Sequence, residues 1–507
     1  MGRKNSKPTS LKRPRAIAAE RLALNVSNDN GHALFVQIRD QIRDLIVRGI
    51  LVPGMRLPPV RSLAGQLNVN QITVARAYRE LSESKLIEGR RGGGSFVSSR
   101  SAPRQPANPA ADQTARPLLA ERLFELAHAP GVIAFTSNYP QADEACIAEF
   151  RESLQIAISE KLNSCFHYDP PAGRIALRQQ IALYLKQHKI ETETENIVIT
   201  SGAQQAIDLA VRAVVSPGST VIVEQPAYYG AINVLQDAHA QILEVPLQPD
   251  GMNLDVLEDH LRRNKVKLIY TNPTFQNPTG TTMSEPKRRD LLALARRYGV
   301  VILEDDHSSE LRFKGAAIPA IRALADPNDL VLYARGFGKV FLPGVRLGYL
   351  VLPFALRRAL LSAKAHADLH CNSFIQEAMA QYLARNSYPK FLERIRNKYG
   401  RRQQQLCESL AAGMPAGTAV SQPEGGLSLW LTLPEGADVS ELYFRAVRRG
   451  VAFVSGDVFY VSQPGLRSLR MSFGLNSADE LQEGVDRLCS VVKDLLTRRS
   501  ARNLVMM

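Results

Sequence analysis

Tyr333-Ala-Arg-Gly-Phe-Gly-Lys-Val-Phe-Leu-Pro-Gly-Val-Arg-Leu-Gly-Tyr349 runs on from the apolar stretch Leu330-Val-Leu-Tyr333. It reads as a β-strand giving way to a turn-rich loop that carries Lys339, with Gly336 and Gly338 just before it. Seen alone, Lys339 is an ordinary surface lysine. Four more β-rich apolar runs stand upstream: Ile197-Val-Ile-Thr200, Thr220-Val-Ile-Val223, Leu268-Ile-Tyr-Thr271 and Val300-Val-Ile-Leu303. Helical patterns lie between them. Such alternation predicts an α/β fold with a mainly parallel sheet, because crossover helices cover both faces of the strands. The C-terminal stretch mixes helices with short strands and predicts a smaller α+β lobe. No internal repeat is apparent.

Three segments near these runs carry chemistry. Ile197-Val-Ile-Thr-Ser-Gly-Ala-Gln-Gln205 is a strand, a small-residue turn and a helix start, and a helix N-terminus attracts anions. Asp305 follows the run 300–303. A carboxylate at the C-terminal end of such a strand faces the ligand crevice, although the local pattern equally allows a helix N-cap. Asn272-Pro-Thr-Phe-Gln-Asn-Pro-Thr-Gly280 is a turn-rich loop after another strand. Pyridoxal 5′-phosphate (PLP) requires an amine, a ring-nitrogen carboxylate, donors to a phenolic oxygen and a phosphate cradle, and these segments offer each.

The first fifth of the chain reads differently. Leu57-Pro-Pro-Val-Arg-Ser-Leu-Ala-Gly-Gln-Leu-Asn-Val-Asn-Gln-Ile-Thr-Val-Ala-Arg-Ala-Tyr78 suggests a helix near 59–67, a turn at Asn68-Val-Asn70 and a helix near 71–84. Asn70 is the expected N-cap. A preceding helix near 34–49 groups Leu34, Phe35, Ile38, Ile42, Leu45 and Ile46, and Pro53-Gly54 ends it with a turn. Strands at 86–88 and 95–97 flank the glycine-rich segment 89–94, so residues 33–98 predict a winged helix-turn-helix. Its second helix would offer Asn70, Gln71, Thr73 and Arg76 to base edges, with Arg56 and Arg61 on phosphates and Arg90 and Arg91 in the wing.

Charge supports that division. Residues 1–100 hold 18 Lys/Arg against 7 Asp/Glu, a balance of +11, while the other 407 residues hold 45 against 42, a balance of +3. A basic segment before a near-neutral body fits double-stranded DNA as a partner. Residues 1–32 read as a disordered basic tail, 99–117 as a linker, 118–495 as the PLP-binding domain and 496–507 as a tail. No apolar run reaches 18 residues, so no membrane span is expected. The N-terminus lacks an apolar signal core. Its Met1-Gly-Arg-Lys-Asn-Ser6 fits the loose myristoylation pattern only by chance. The five cysteines form no CxxC pair, which points to free thiols in a reducing bacterial cytoplasm and to no zinc or other metal site.

Residues 34–97 resemble the GntR family of winged-helix regulators. Gln37-Ile, Pro53-Gly-Met-Arg-Leu-Pro58, Arg61-Ser-Leu-Ala64, Thr73-Val, Ala77-Tyr and Gly94-Ser-Phe-Val97 carry the resemblance, and Gln71 departs from the family's usual arginine. Residues 118–495 resemble the fold-type I aminotransferases. That resemblance implies that Lys339 is the Schiff-base lysine and Asp305 the partner of the pyridine nitrogen. It implies that Asn277 contacts the phenolic oxygen and that Tyr228 lies against the ring. Ser201, Gly202, Ala203 and Gln204 would cup the phosphate with Arg346, and Tyr168 would reach the phosphate of the partner subunit. Arg470 would clamp an effector's α-carboxylate. Three positions depart from the family. Gly336 and Gly338 replace common serines, one of which supplies a phosphate hydroxyl, so the grip on phosphate is expected to be weaker. His307 replaces a tyrosine that donates to the phenolic oxygen, and its charge is expected to follow pH. Asn138 replaces a glycine frequent near the substrate. Together the two halves resemble the MocR subfamily of GntR regulators. This implies a head-to-tail homodimer whose operator binding responds to PLP or to an amino-acid or amine effector. The alternatives are an active aminotransferase (2-aminoadipate or aromatic type) with an appended DNA-binding domain, and a nucleoid binder with an inactive enzyme fold.

Overall fold

A computed structural model describes residues 24, 26, 33–47, 51, 57–90, 94–98, 129–462 and 467–505. The expected linker, nearly all of the basic tail, the Pro53-Gly54 turn, Arg56 and Arg91 lie outside those residues. The chain separates into two compact units, Met1–Asp112 and Gln113–Met507.

In the first unit α1 (Leu34–Val47) buries Ile38, Ile42 and Ile46, one side chain per turn. Helix α2 (Val60–Leu67) stops at Asn68, whose φ of 53° is left-handed, a conformation asparagine tolerates. Asn70 then starts α3 (Gln71–Glu83), its side chain accepting the Ile72 N–H at 2.9 Å. Val74, Ala77, Tyr78 and Leu81 turn inward. The Tyr78 hydroxyl donates to Pro58 O at 2.9 Å, tying α3 to the start of α2, and Arg39 of α1 meets Glu80 of α3 at 2.8 Å. Strands β1 (Ile87–Arg90) and β2 (Gly94–Val97) pair antiparallel from Ile87–Val97 to Arg90–Gly94, so the wing's strands run further toward its tip than the sequence suggests.

In the second unit, chain order gives β3 (Ile197–Thr200), α4 (Ala203–Val214), β4 (Thr220–Gln225), β5 (Gln241–Gln248), β6 (Gly251–Met252), β7 (Val266–Thr271), β8 (Val301–Asp306), β9 (Val331–Gly336) and β10 (Gly348–Val351). They form one eight-stranded sheet ordered β3-β10-β9-β8-β7-β4-β5-β6. Strands β9, β8, β7, β4 and β5 run parallel, β10 is antiparallel to both neighbours, and β6 closes a hairpin on β5. Strands β3, β8, β9 and β10 are buried throughout, as a sheet covered on both faces requires. Strand β8 continues to Asp306, so Asp305 is a strand residue, and the N-cap alternative falls away. The smaller lobe is a four-stranded sheet around Ser428–Thr432 and Ser468–Ser472, with helices α5 (Ser387–Gly413) and α6 (Ala478–Val505). Helix α6 runs past the boundary expected at 495.

Candidate functional site

The carboxyl ends of β3, β7, β8 and β9 surround a cavity of about 270 Å³ lined by Tyr228, Asn277, Asp305, His307, Lys339 and Arg346 among others. Lys339 stands on a short turn, Phe337–Lys339, directly after β9. Burial, with repulsion from Arg470, brings its amine down to about 8. Asp305 is 3% exposed. Its Oδ2 accepts from the Tyr270 hydroxyl at 2.7 Å, and its Oδ1 is buried with no partner among the described residues. Burial raises its carboxyl to about 6. A protonated ring nitrogen would satisfy Oδ1 and hold Asp305 ionised, so the carboxylate fits PLP.

Two donors for a phenolic oxygen are each set by a neighbouring side chain. Asn272 Oδ1 accepts the Asn277 N–H at 2.7 Å, which fixes the amide orientation. Its Nδ2 therefore donates to Asp305 O and to His307 Nδ1, the latter at 3.0 Å. His307 must then carry its proton on Nε2. Burial, reinforced by Lys339, lowers His307 to about 3. The imidazole is thus neutral at any physiological pH, which corrects the expectation that its charge follows pH. Asn277 Oδ1 accepts from Arg470 Nη1 at 2.8 Å, leaving the Nδ2 hydrogens as donors. Behind this loop the buried Glu224 accepts from Thr271 Oγ1 at 2.6 Å and Gln276 Nε2 at 3.1 Å.

The anion end is the start of α4. Gly202 has φ 84°, and the N–H groups of Ala203 and Gln204 open the helix. Arg346 Nη2 donates to Ser201 O at 3.0 Å, and a Cβ on Gly202 would sit 3.6 Å from the same guanidinium. Ser201 itself departs from expectation and does not line the cavity. Its N–H goes to Gln205 Oε1 at 2.7 Å, and its Oγ lies 3.5 Å from Cys371 Sγ. Gly336 explains its own departure. A Cβ there would lie 2.9 Å from Ala203 N, so only glycine lets β9 approach the helix start.

Tyr228 donates to Gln204 Oε1 at 3.0 Å, and Gly230 leaves room for its ring, since a Cβ there would come within 2.5 Å. Arg470 is 3% exposed and spends Nη2 on Thr136 O at 2.9 Å. Its Nε is buried without a partner, and no carboxylate of the described residues pairs with it. A buried cation of this kind suits an incoming carboxylate. Asn138 is buried as well, with Nδ2 unpartnered among the described residues. Tyr168 is 86% exposed and stands apart from the cavity. Sequence reasoning missed Tyr270, Asn272, Glu224 and Tyr139, the last a lining residue.

On the winged helix, Arg61, Asn70 and Gln71 are exposed and Thr73 is half-buried. Asn70 has its carboxamide committed to the cap. Arg76 is folded back, 3.7 Å over the Phe35 ring and 3.5 Å from Glu80, rather than standing free. The side chain of Arg90 is outside the described residues. Ile72, which sequence reasoning missed, is 74% exposed on the first turn of α3, where an apolar side chain suits a thymine methyl.

A cavity of this make-up at the mouth of a mainly parallel sheet, in a chain that also carries a winged helix, defines a PLP-binding protein with a DNA-binding domain. Residues 130–488 match the aminotransferase class I and II family, and residues 34–97 match the gntR family of bacterial regulatory proteins. The chain is 30% identical over 469 residues to the uncharacterized HTH-type transcriptional regulator YdcR of Escherichia coli, covering 91% of this chain and 99% of that protein. It is 26% identical to the probable rhizopine catabolism regulatory protein MocR of Rhizobium meliloti, over 90% of this chain and 92% of that one. The solved structure of LysN, an alpha-aminoadipate aminotransferase from Thermus thermophilus complexed with N-(5′-phosphopyridoxyl)-L-leucine, superposes with a TM-score of 0.68 at 33% identity, over 74% of this chain and 95% of that one. The protein belongs to the class I and II aminotransferase family and is a GntR regulator of the MocR type, PLP-dependent by its fold. No helix among the described residues is long and apolar enough to cross a membrane.

Proposed function

We propose that the protein is a PLP-dependent transcriptional regulator in which an amino acid or amine at the Lys339 site alters the affinity of the winged helix for a double-stranded operator. The observation that carries this reading is one chain holding a GntR domain and a cavity lined by Lys339 and the half-satisfied Asp305, with Arg470, which has no ion-pair partner among the described residues, hydrogen-bonded to the lining residue Asn277. When bound, PLP supplies an electrophilic carbon and an electron-withdrawing ring. Asp305 would keep the ring nitrogen protonated through Oδ1. His307 Nε2 and Asn277 Nδ2 would donate to the phenolic oxygen, and Tyr228 would lie against the ring. The amides of Gly202, Ala203 and Gln204 would hold the phosphate together with Arg346. Lys339, its amine brought down toward neutrality, would be the nucleophile, and Arg470 would take the effector carboxylate. An effector that binds two conformations unequally shifts the operator equilibrium by that difference.

A head-to-tail homodimer completes the reading, with Tyr168 serving the partner's phosphate. Its 86% exposure beside a Phe166 that is 71% exposed supports a covered face. Five free thiols fit a reducing cytoplasm. The test is fluorescence anisotropy on operator fragments with PLP-loaded protein, titrated with amino acids and amines. A ligand-dependent change that Lys339→Ala abolishes is expected, and operator affinity indifferent to every ligand would defeat the proposal. The unpaired Arg470 also favours a second reading, true transamination, which sustained turnover with a keto-acid acceptor would reveal.

A further inference from the structure

Successive strand residues point to opposite faces. Asp305 faces the cofactor cavity, and Asp306 faces a second and larger cavity of about 450 Å³. Its floor is Asp306, Tyr333 and Arg335, all buried, its walls include Arg312 and Arg396, and Lys189 stands exposed at the mouth.

The charges inside do not balance. Asp306 accepts from the Tyr333 hydroxyl at 2.6 Å and from Ser309 Oγ and N–H at 2.7 and 3.0 Å, with Arg335 Nη1 at 3.4 Å. Glu310 pairs with Arg335 and takes the hydroxyls of Tyr388 and Tyr184. Both lining carboxylates are therefore committed to Arg335 and to hydroxyls. Two lining cations have no carboxylate partner among the described residues, and a third is only partly met. Among the described residues Arg396 donates only to a backbone oxygen, Glu310 O, at 2.6 Å. Lys189 has no ion-pair partner among the described residues. Arg312, its side chain 9% exposed, meets the half-exposed Glu424 through Nη1 and keeps Nη2 buried with no hydrogen-bond partner among the described residues. Ile190, Ala317, Ile318 and Pro319 give the same cavity an apolar wall. An inorganic anion would leave that wall against water, whereas a carboxylate on a short carbon skeleton would cover it.

We propose that this cavity is a second small-molecule site, for an organic acid whose carboxylate is held by Arg312 and Arg396. It lies beyond the Lys339 site and does not depend on how that site regulates. Occupancy would be felt at the cofactor, because Arg312 stacks 4.8 Å from the Phe275 ring, in the loop that carries Asn277, and because Asp305 and Asp306 share one peptide. The floor residues Asp306 and Arg335 are paired with one another, so the ligand adds a counter-charge to the walls alone.

The experiment uses the full chain loaded with PLP, with succinate as probe at constant ionic strength, followed by calorimetry and by the visible spectrum of the cofactor. Saturable succinate binding is expected. Arg396→Gln should weaken it at least about tenfold, as loss of a charge-assisted contact implies, while Arg470→Gln should leave it unchanged. Lys189→Gln, at the exposed mouth, provides a second readout should Arg396→Gln fold poorly, and it should weaken binding by a smaller factor. Absence of saturable heat up to about 10 mM, a range that detects even weak affinity, would overturn the proposal. Binding lost in Arg470→Gln but kept in Arg396→Gln would also overturn it, because that pattern places succinate in the cofactor cavity. Equal competition by inorganic phosphate would overturn the organic-acid assignment.

Discussion

Restoring the family's serine at position 336 should weaken the hold on PLP rather than strengthen it. A serine adds a hydroxyl where the related enzymes use one, so chemistry alone predicts tighter phosphate binding. The packing argues the reverse. A Cβ at 336 would stand 2.9 Å from Ala203 N and 3.2 Å from Ala203 Cβ, and both belong to the first residue of the phosphate-facing helix. Relieving such a clash by moving backbone costs about 1–3 kcal/mol. If that cost falls on the bound state, affinity drops by roughly 5- to 150-fold. Gly338→Ser is the control, because its Cβ would meet nothing closer than Pro343 Cα at 3.4 Å, an ordinary contact. The assay is an equilibrium PLP titration of the cofactor-free protein, read from the visible absorbance band, with thermal melts in parallel. Gly336→Ser should bind PLP more weakly and melt lower, and Gly338→Ser should stay within about twofold of the parent. Tighter PLP binding by Gly336→Ser with an unchanged melt would refute the reasoning, since it would show that α4 moves freely away from β9.

Three other outcomes follow from the same geometry. Asp305 is raised from 3.8 to about 6, so without cofactor the native protein binds the extra proton and loses stability as pH rises through that window, by about 3 kcal/mol in all. Cofactor-free Asp305→Asn should therefore melt higher than the parent at pH 7 and equal to it near pH 4, while PLP titration shows weaker binding; a lower melt at pH 7 would contradict the burial argument. Arg470→Gln should reduce the affinity of amino-acid ligands by about 10- to 100-fold yet leave amines without a carboxylate unaffected, as measured by their spectral shifts on PLP-loaded protein. Arg61→Ala should weaken operator binding in gel shifts and lower the salt slope by about one; unchanged affinity at physiological salt would remove α2 from the interface.

The architecture is largely legible in the sequence because the strands carry β-branched runs at regular spacing and the chemistry-bearing residues follow them in order. Lys339, Asp305, Asn277 and Arg346 converge for that reason. The residues that tune them are not legible. Tyr270 and Thr271 read as members of an apolar strand, yet one holds Asp305 across 35 positions and the other holds Glu224 across 47. Ser201 reads as a phosphate ligand because the turn motif gives no sign that Gln205 folds back to take its N–H. Arg76 reads as free because Phe35 lies far upstream, on another helix. His307 reads as open to protonation because sequence reports residue type and not depth. Apart from the Ser201–Gln205 bond, which is local and turns on a side-chain rotamer, the deciding contact is between segments remote in sequence or depends on depth, which no local pattern encodes.

The carboxamide of Asn272 has a consequence for how this site can drift over generations. A change to aspartate needs one altered base in the codon and adds almost no volume. The new carboxylate would offer His307 Nδ1 an acceptor in place of a donor. The ring hydrogen would follow to Nδ1, and Nε2 would face the cofactor cavity as an acceptor. One point mutation, invisible in shape, would thus reverse the polarity of a neighbour that itself had not changed. Surveys of natural variants should find Asn272 and His307 altering together or not at all.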